Sequence, residues 1–137
     1  MKHIKLFESF TSEYNQLIDK YIGEIKNSLL VLFDDYDAKI RHQSHNIFIF
    51  TLDFDINQID IDHFIREINI SLDKLKFNVN GDISNYSLYS VNSSNIQTYI
   101  FGTNSIEEFD NKLEKCTSKE IQTLFGTTFR LQLTINC

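Results

Sequence analysis

The stretch NIFIFTLDFDI, residues 46–56, decides how the rest of the chain is read. Phe48, Phe50, Leu52, Phe54 and Ile56 alternate with Ile47, Ile49, Thr51, Asp53 and Asp55, the period of a β-strand whose successive side chains point to opposite faces. One face is wholly apolar and the other turns polar along its length. The last stretch, Phe129–Asn136, repeats the pattern: Phe129, Leu131, Leu133 and Ile135 point inward, while Arg130, Gln132, Thr134 and Asn136 point outward. The sheet therefore needs covering chiefly on one side.

Working outward from residue 46, a short strand near Lys39–His42 leads in through the polar turn Gln43–Asn46. Beyond residue 56, Ile61, Phe64, Ile65, Ile68, Leu72 and Leu75 form one side of a helix, with Asn57 or Asp60 as its cap. Asn80-Gly81 reads as a hairpin turn, because both residues tolerate positive φ. That reading places strands near Phe77–Val79, Ile83–Val91 and Ile96–Phe101. Ser105 with Glu108, then Thr117 with Glu120, form S/T-x-x-E capping boxes ahead of two helices, the second ending at Gly126. Before the sheet, Phe7, Phe10, Tyr14, Leu17, Tyr21, Ile25, Leu29 and Leu32 recur every three or four residues, one apolar stripe of a long helix. Thr11 or Ser12 caps it, or it begins nearer Ile4. Asp34, Asp35 and Asp37 oppose the helix dipole and stop it near Phe33. The order predicts a single α+β domain: an antiparallel or mixed sheet with helices mainly on one face, compatible with a ferredoxin-like split βαβ arrangement or, alternatively, a plain meander with flanking helices. Residues 1–33 form the helical segment and residues 38–137 the sheet-and-helix core.

Composition narrows the function classes. The chain has 137 residues, enough for a core without staples, and 42% of them are apolar. Its net charge is −6, which disfavours duplex nucleic acid and anionic membrane surfaces, since phosphate contacts require a basic face. Cys116 and Cys137 lie too far apart for a C-x-x-C motif, and neither has a second cysteine nearby for a zinc site. No apolar run reaches a membrane span, and the N-terminal residues lack a signal-peptide h-region, so secretion is not expected.

Catalytic and metal motifs are weak. His42 and His45, near Asp53 and Asp55, have a ligand-like spacing on a turn, but a polar hairpin tip explains them as well. The run from Asp53 starts like a calcium loop, then places Gln58 where glycine is needed and Phe64 where glutamate is needed. There is no G-x-S-x-G elbow and no phosphate-cradling glycine loop. Tyr86, Tyr89 and Tyr99 suggest a stacking platform for single-stranded RNA, yet the basic and glycine positions of that signature are missing. No catalytic, cofactor or metal residue is assigned.

The first helix is surplus to a sheet already served by two others. Its stripe either covers Ile47 and Ile49 on the sheet's second face or binds another protein or a second copy of the chain. The interaction face so defined comprises Phe7, Phe10, Tyr14, Leu17, Tyr21 and Ile25.

The opening decapeptide MKHIKLFESF resembles the Met-Lys-x-Ile-Lys-x-Phe-Glu-x-Phe beginnings of many proteins of large tailed bacteriophages. Such openings imply capsid targeting and cleavage by a prohead protease after glutamate in a Leu/Ile-x-Glu context, which Leu6-Phe7-Glu8 fits, making Glu8 the candidate processing site. Ile22-Gly23-Glu24, Ile65-Arg66-Glu67 and Ile106-Glu107-Glu108 fit it too. Together with the motif reading, the resemblance implies a non-enzymatic phage protein of the host cytoplasm or virion, a structural or assembly component working by protein contact. The alternatives are a small inhibitor of a host or defence enzyme and a small hydrolase with an unrecognised site.

Overall fold

In the computed structural model, which describes the backbone of residues 2–137 and the side chains from Ser12 onward, residues 46–56 supply a central strand. The elements run α1 (Lys2–Ser28), α2 (Leu30–Asp35), β1 (Asp37–Ser44), β2 (Ile47–Asp55), α3 (Ile61–Val79), β3 (Asp82–Val91), β4 (Gln97–Thr103), α4 (Ile106–Lys115), α5 (Lys119–Phe125) and β5 (Thr128–Asn136). The five strands form one sheet in the order β1-β2-β5-β3-β4, and every neighbouring pair is antiparallel. The fold class is α+β. Both βαβ crossovers are split. β5 fills the gap between β2 and β3, and β3 fills the gap between β4 and β5. The last strand, not the hairpin strand β4, thus separates the first crossover pair, and β4 takes the edge.

One face of the sheet is the core. Phe48, Phe50, Leu52, Phe54, Phe129, Leu131, Leu133, Ile135 and Leu88 are all buried there. The helices lie against that face through aromatic contacts: Tyr21 of α1 meets Phe48, Phe33 of α2 meets Phe50, Phe64 of α3 meets Phe54, and Phe109 of α4 meets Tyr86 and Phe101. α1 therefore packs over Phe48, beside α3, and not over Ile47 and Ile49 as one reading of its stripe expected. Ile49 is nonetheless only 3% exposed, flanked in the sheet by Arg41 of β1 and Thr134 of β5.

The local chemistry differs from expectation at four places. The N-terminal helix begins by Lys2, so Thr11 and Ser12 lie inside it, and it breaks at Leu29 before α2 resumes. There the Ser28 hydroxyl donates back to the Glu24 carbonyl at 3.0 Å and accepts from Asn78 Nδ2 at 3.0 Å, a pattern that bends helices. Asn80 at φ 52° is the left-handed C-cap of α3, not a hairpin turn. Its amide and that of Gly81 bond back to the carbonyls of Lys76 and Leu75, so residues 77–79 are the last turn of a helix and no strand forms there. α5 is capped by Ser118 in place of Thr117. The first box is half made. Ser105 Oγ accepts from the Glu107 and Glu108 amides, but Glu108 takes a bond from the Thr103 hydroxyl instead of reaching back.

Ile25, Leu29 and Leu32 have no exposed surface at all, so the C-terminal part of residues 1–33 is core and not an appendage. Leu29→Ala is expected to cost about 2–5 kcal/mol in urea unfolding, the range for a buried leucine cavity. Leu124→Ala, at a side chain 74% exposed, should stay within about 0.5 kcal/mol. A chain lacking residues 1–33 should show no cooperative transition.

Candidate interaction surface

The stripe on α1 divides where the helix leaves the sheet. Ile25 is fully buried, which removes it from any interaction face. Tyr21 is half-buried against Phe48, its ring centroid 6.3 Å away. Tyr14 and Leu17 are 42% and 50% exposed. With Ile18 and Tyr21 they line one wall of a groove of about 220 Å³. The other wall comes from His45, Asn46 and Phe48 of the β1–β2 hairpin, with Cys137. Phe7, Phe10 and Glu8 lie outside the residues whose side chains are described.

The turn beside this groove explains the two histidines. His45 sits at φ 45°, and its carbonyl accepts a 2.7 Å bond from His42 Nε2. That nitrogen therefore carries a proton and has no lone pair for a metal. Asn46 Nδ2 donates to the Cys137 carbonyl, and the Cys137 amide to the Asn46 carbonyl, both at 2.9 Å. Burial and nearby Glu24 push the Cys137 thiol upward, leaving it poorly nucleophilic. Among the described residues no group of three His, Cys, Asp or Glu side chains is arranged to hold a metal ion.

The carboxylates named from the sequence are engaged locally. Asp53 is gripped bidentately by Arg130 of β5, at 2.6 Å and 2.9 Å. The same guanidinium donates to Gln97 and Asn95 at 3.1 Å. Asp55 accepts the Asn57 amide at 2.9 Å, an Asx turn. The tyrosines part company. Tyr86 is buried on the core face, and burial followed by Asp82 pushes its pKa up to about 12. Tyr89 and Tyr99 meet edge-to-face at 5.6 Å on the opposite face, where the Tyr99 hydroxyl occupies the space a Cβ at residue 102 would take. Gly102 is there because a larger residue would displace that ring.

The sequence reading missed two features, both on α3. Glu67 is only 4% exposed, and its Oε2 and the Ser71 hydroxyl one turn later lack hydrogen-bond partners among the described residues. Oε1 meets His63 at 2.8 Å and accepts a long bond from Tyr36 at 3.5 Å. Phe77, read as a strand residue, is 91% exposed on the last turn of α3, and Ile70 is 51% exposed on the same face. Glu67 was detectable in principle, since it falls one residue before Ile68 on the edge of the apolar stripe.

Burial, and then the neighbouring Asp35, raise the Glu67 carboxyl above the ordinary carboxylate range. The folded state therefore holds a proton there that the unfolded chain has released, and stability falls as pH rises from the ordinary value through the raised one. Glu67→Gln, whose amide can donate to Asp35, is expected to flatten that slope. It should match the wild type at acidic pH and melt higher at neutral pH, as thermal scans across pH 4–8 would register.

No helix among the described residues is long and apolar enough to cross a membrane. Comparison with known proteins adds no relative: no family model, no curated protein and no solved structure matches the chain.

Proposed function

We propose that the protein acts by protein–protein contact through its helical layer, as a structural or assembly component of a phage virion. The observation that carries the contact reading is the placement of exposed apolar side chains. Tyr14 and Leu17 on α1, and Ile70 and Phe77 on α3, stand in water on the helical side. The second sheet face carries Thr51, Asp53, Arg130, Gln132 and Thr134 beside the Tyr89–Tyr99 pair, of which Tyr99 is 58% exposed. The largest polar cluster of that face is closed on itself by the Arg130 bonds. Large apolar groups left exposed on a face mark a surface that another macromolecule covers. The phage assignment rests on the opening decapeptide, and the net charge of −6 suits a partner that is not nucleic acid.

Mass spectrometry of purified virions of the encoding phage is expected to find the chain at a stoichiometric copy number. Absence from the virion combined with capture of a host enzyme would turn the reading to an inhibitor. On the surface itself, Tyr14→Asp with Leu17→Asp should reduce capture of the partner from infected cells at least tenfold. The melting temperature should stay within a few degrees of wild type, because neither side chain belongs to the core.

A further inference from the structure

The outer face of α3 has an order that suits a copy of itself. Helical geometry sets Arg66, Ile70, Asp73 and Phe77 in one line, stepping by four, three and four. They stand opposite Phe64, Ile68 and Leu75, whose side chains are fully buried. Phe77 is 91% exposed, whereas every other phenylalanine with a described side chain is buried or half-buried. Between Ile70 and Phe77 come Asp73 and Lys74, both exposed. From either end the face runs apolar, charged, charged, apolar, and the two charges are opposite in sign.

We propose that this face pairs with a second copy of the chain as an antiparallel α3–α3 contact, on a two-fold axis passing between Asp73 and Lys74. The proposal deepens the contact reading above by naming the partner of one part of the helical layer. In that arrangement Phe77 lies against Ile70 of the partner subunit, and Asp73 against the partner subunit's Lys74. Symmetry makes each contact twice. A chain carrying net charge −6 repels its copies in general. The α3 face answers this by presenting equal and opposite charges at its centre, and it does so only in the antiparallel sense. A parallel pair would set Asp73 against the partner's Asp73. A contact through one helix face belongs at the small end of specific interfaces, so the dimer is reversible.

Sedimentation velocity of the full chain over a concentration series tests the pairing. A dimer fraction that grows with concentration is expected. Phe77→Asp should leave the protein monomeric throughout with its melting temperature unchanged, since the side chain contributes nothing to its own core. Lys74→Asp, which sets like charges against each other twice, should weaken association at least tenfold. Adding Asp73→Lys to that variant should restore it, because the swapped order is again self-complementary. A wild-type chain that stays monomeric at about 1 mM overturns the proposal, as does a dimer indifferent to Phe77→Asp or one that the double swap fails to restore. The Tyr14/Leu17 capture experiment uses other residues, so the pairing and the general contact reading can fail separately.

Discussion

Everything in this molecule depends on the pairing of β2 with β5. Nine successive residue pairs, from Ile47 with Asn136 to Asp55 with Thr128, join segments about eighty residues apart. β5 also pairs with β3 over most of its length. Until β5 arrives, the β1–β2 hairpin and the β3–β4 hairpin have no common edge, and the helices have no continuous surface to cover. Such a sheet forms late and cooperatively, since the loop-closure cost precedes any reward from the central ladder.

The same register fixes both faces. On the core side it stacks Phe48 over Ile135, Phe50 over Leu133, Leu52 over Leu131 and Phe54 over Phe129. All eight are buried. On the other side it sets Asp53 opposite Arg130, close enough for a two-pronged ion pair on partly buried stems. A slip of β2 by one residue would turn over its faces alone, placing Asp53 in the core away from Arg130 and Phe48, Phe50, Leu52 and Phe54 in water. The pair is thus a specificity device for register. Its free-energy contribution at the surface is small beside the aromatic packing.

Alternation and helical stripes made much of the fold legible in the sequence. β2, β5, the apolar side of α3 and both C-terminal helices stand where their patterns predicted, with ends moved by a residue or two. The strand order was not legible, because β5 has the pattern of any half-buried strand and nothing local names its neighbours. The N-terminal stripe was real but undivided. Periodicity cannot say that Ile25 and Leu29 are fully buried while Tyr14 and Leu17 stay half in water at the sheet's end, since that depends on where the sheet ends. Of the exposed apolar surface, Tyr14 and Leu17 are legible in the α1 stripe, whereas Ile70 and Phe77 are hidden because Asn80-Gly81 has the composition of a hairpin turn.

That turn shows how a single residue allots surface between core and contact. Asn80 tolerates positive φ, a property shared by hairpin turns and helix C-caps. Had Asn80-Gly81 closed a hairpin, Phe77 and Val79 would have fallen on the same face of a strand, both inward or both outward. As the cap of α3, Asn80 keeps them on a helix, where two residues span about 200°. Val79 is accordingly buried at 9% exposure and Phe77 is turned to water at 91%. The amides of Asn80 and Gly81 hold this choice through their bonds to Lys76 and Leu75, and a Cβ at residue 81 would come within 3.0 Å of the Leu75 side chain. Asn-Gly at this place therefore closes the helix against its own core. The same closure leaves Phe77 on the outer face, in line with Ile70.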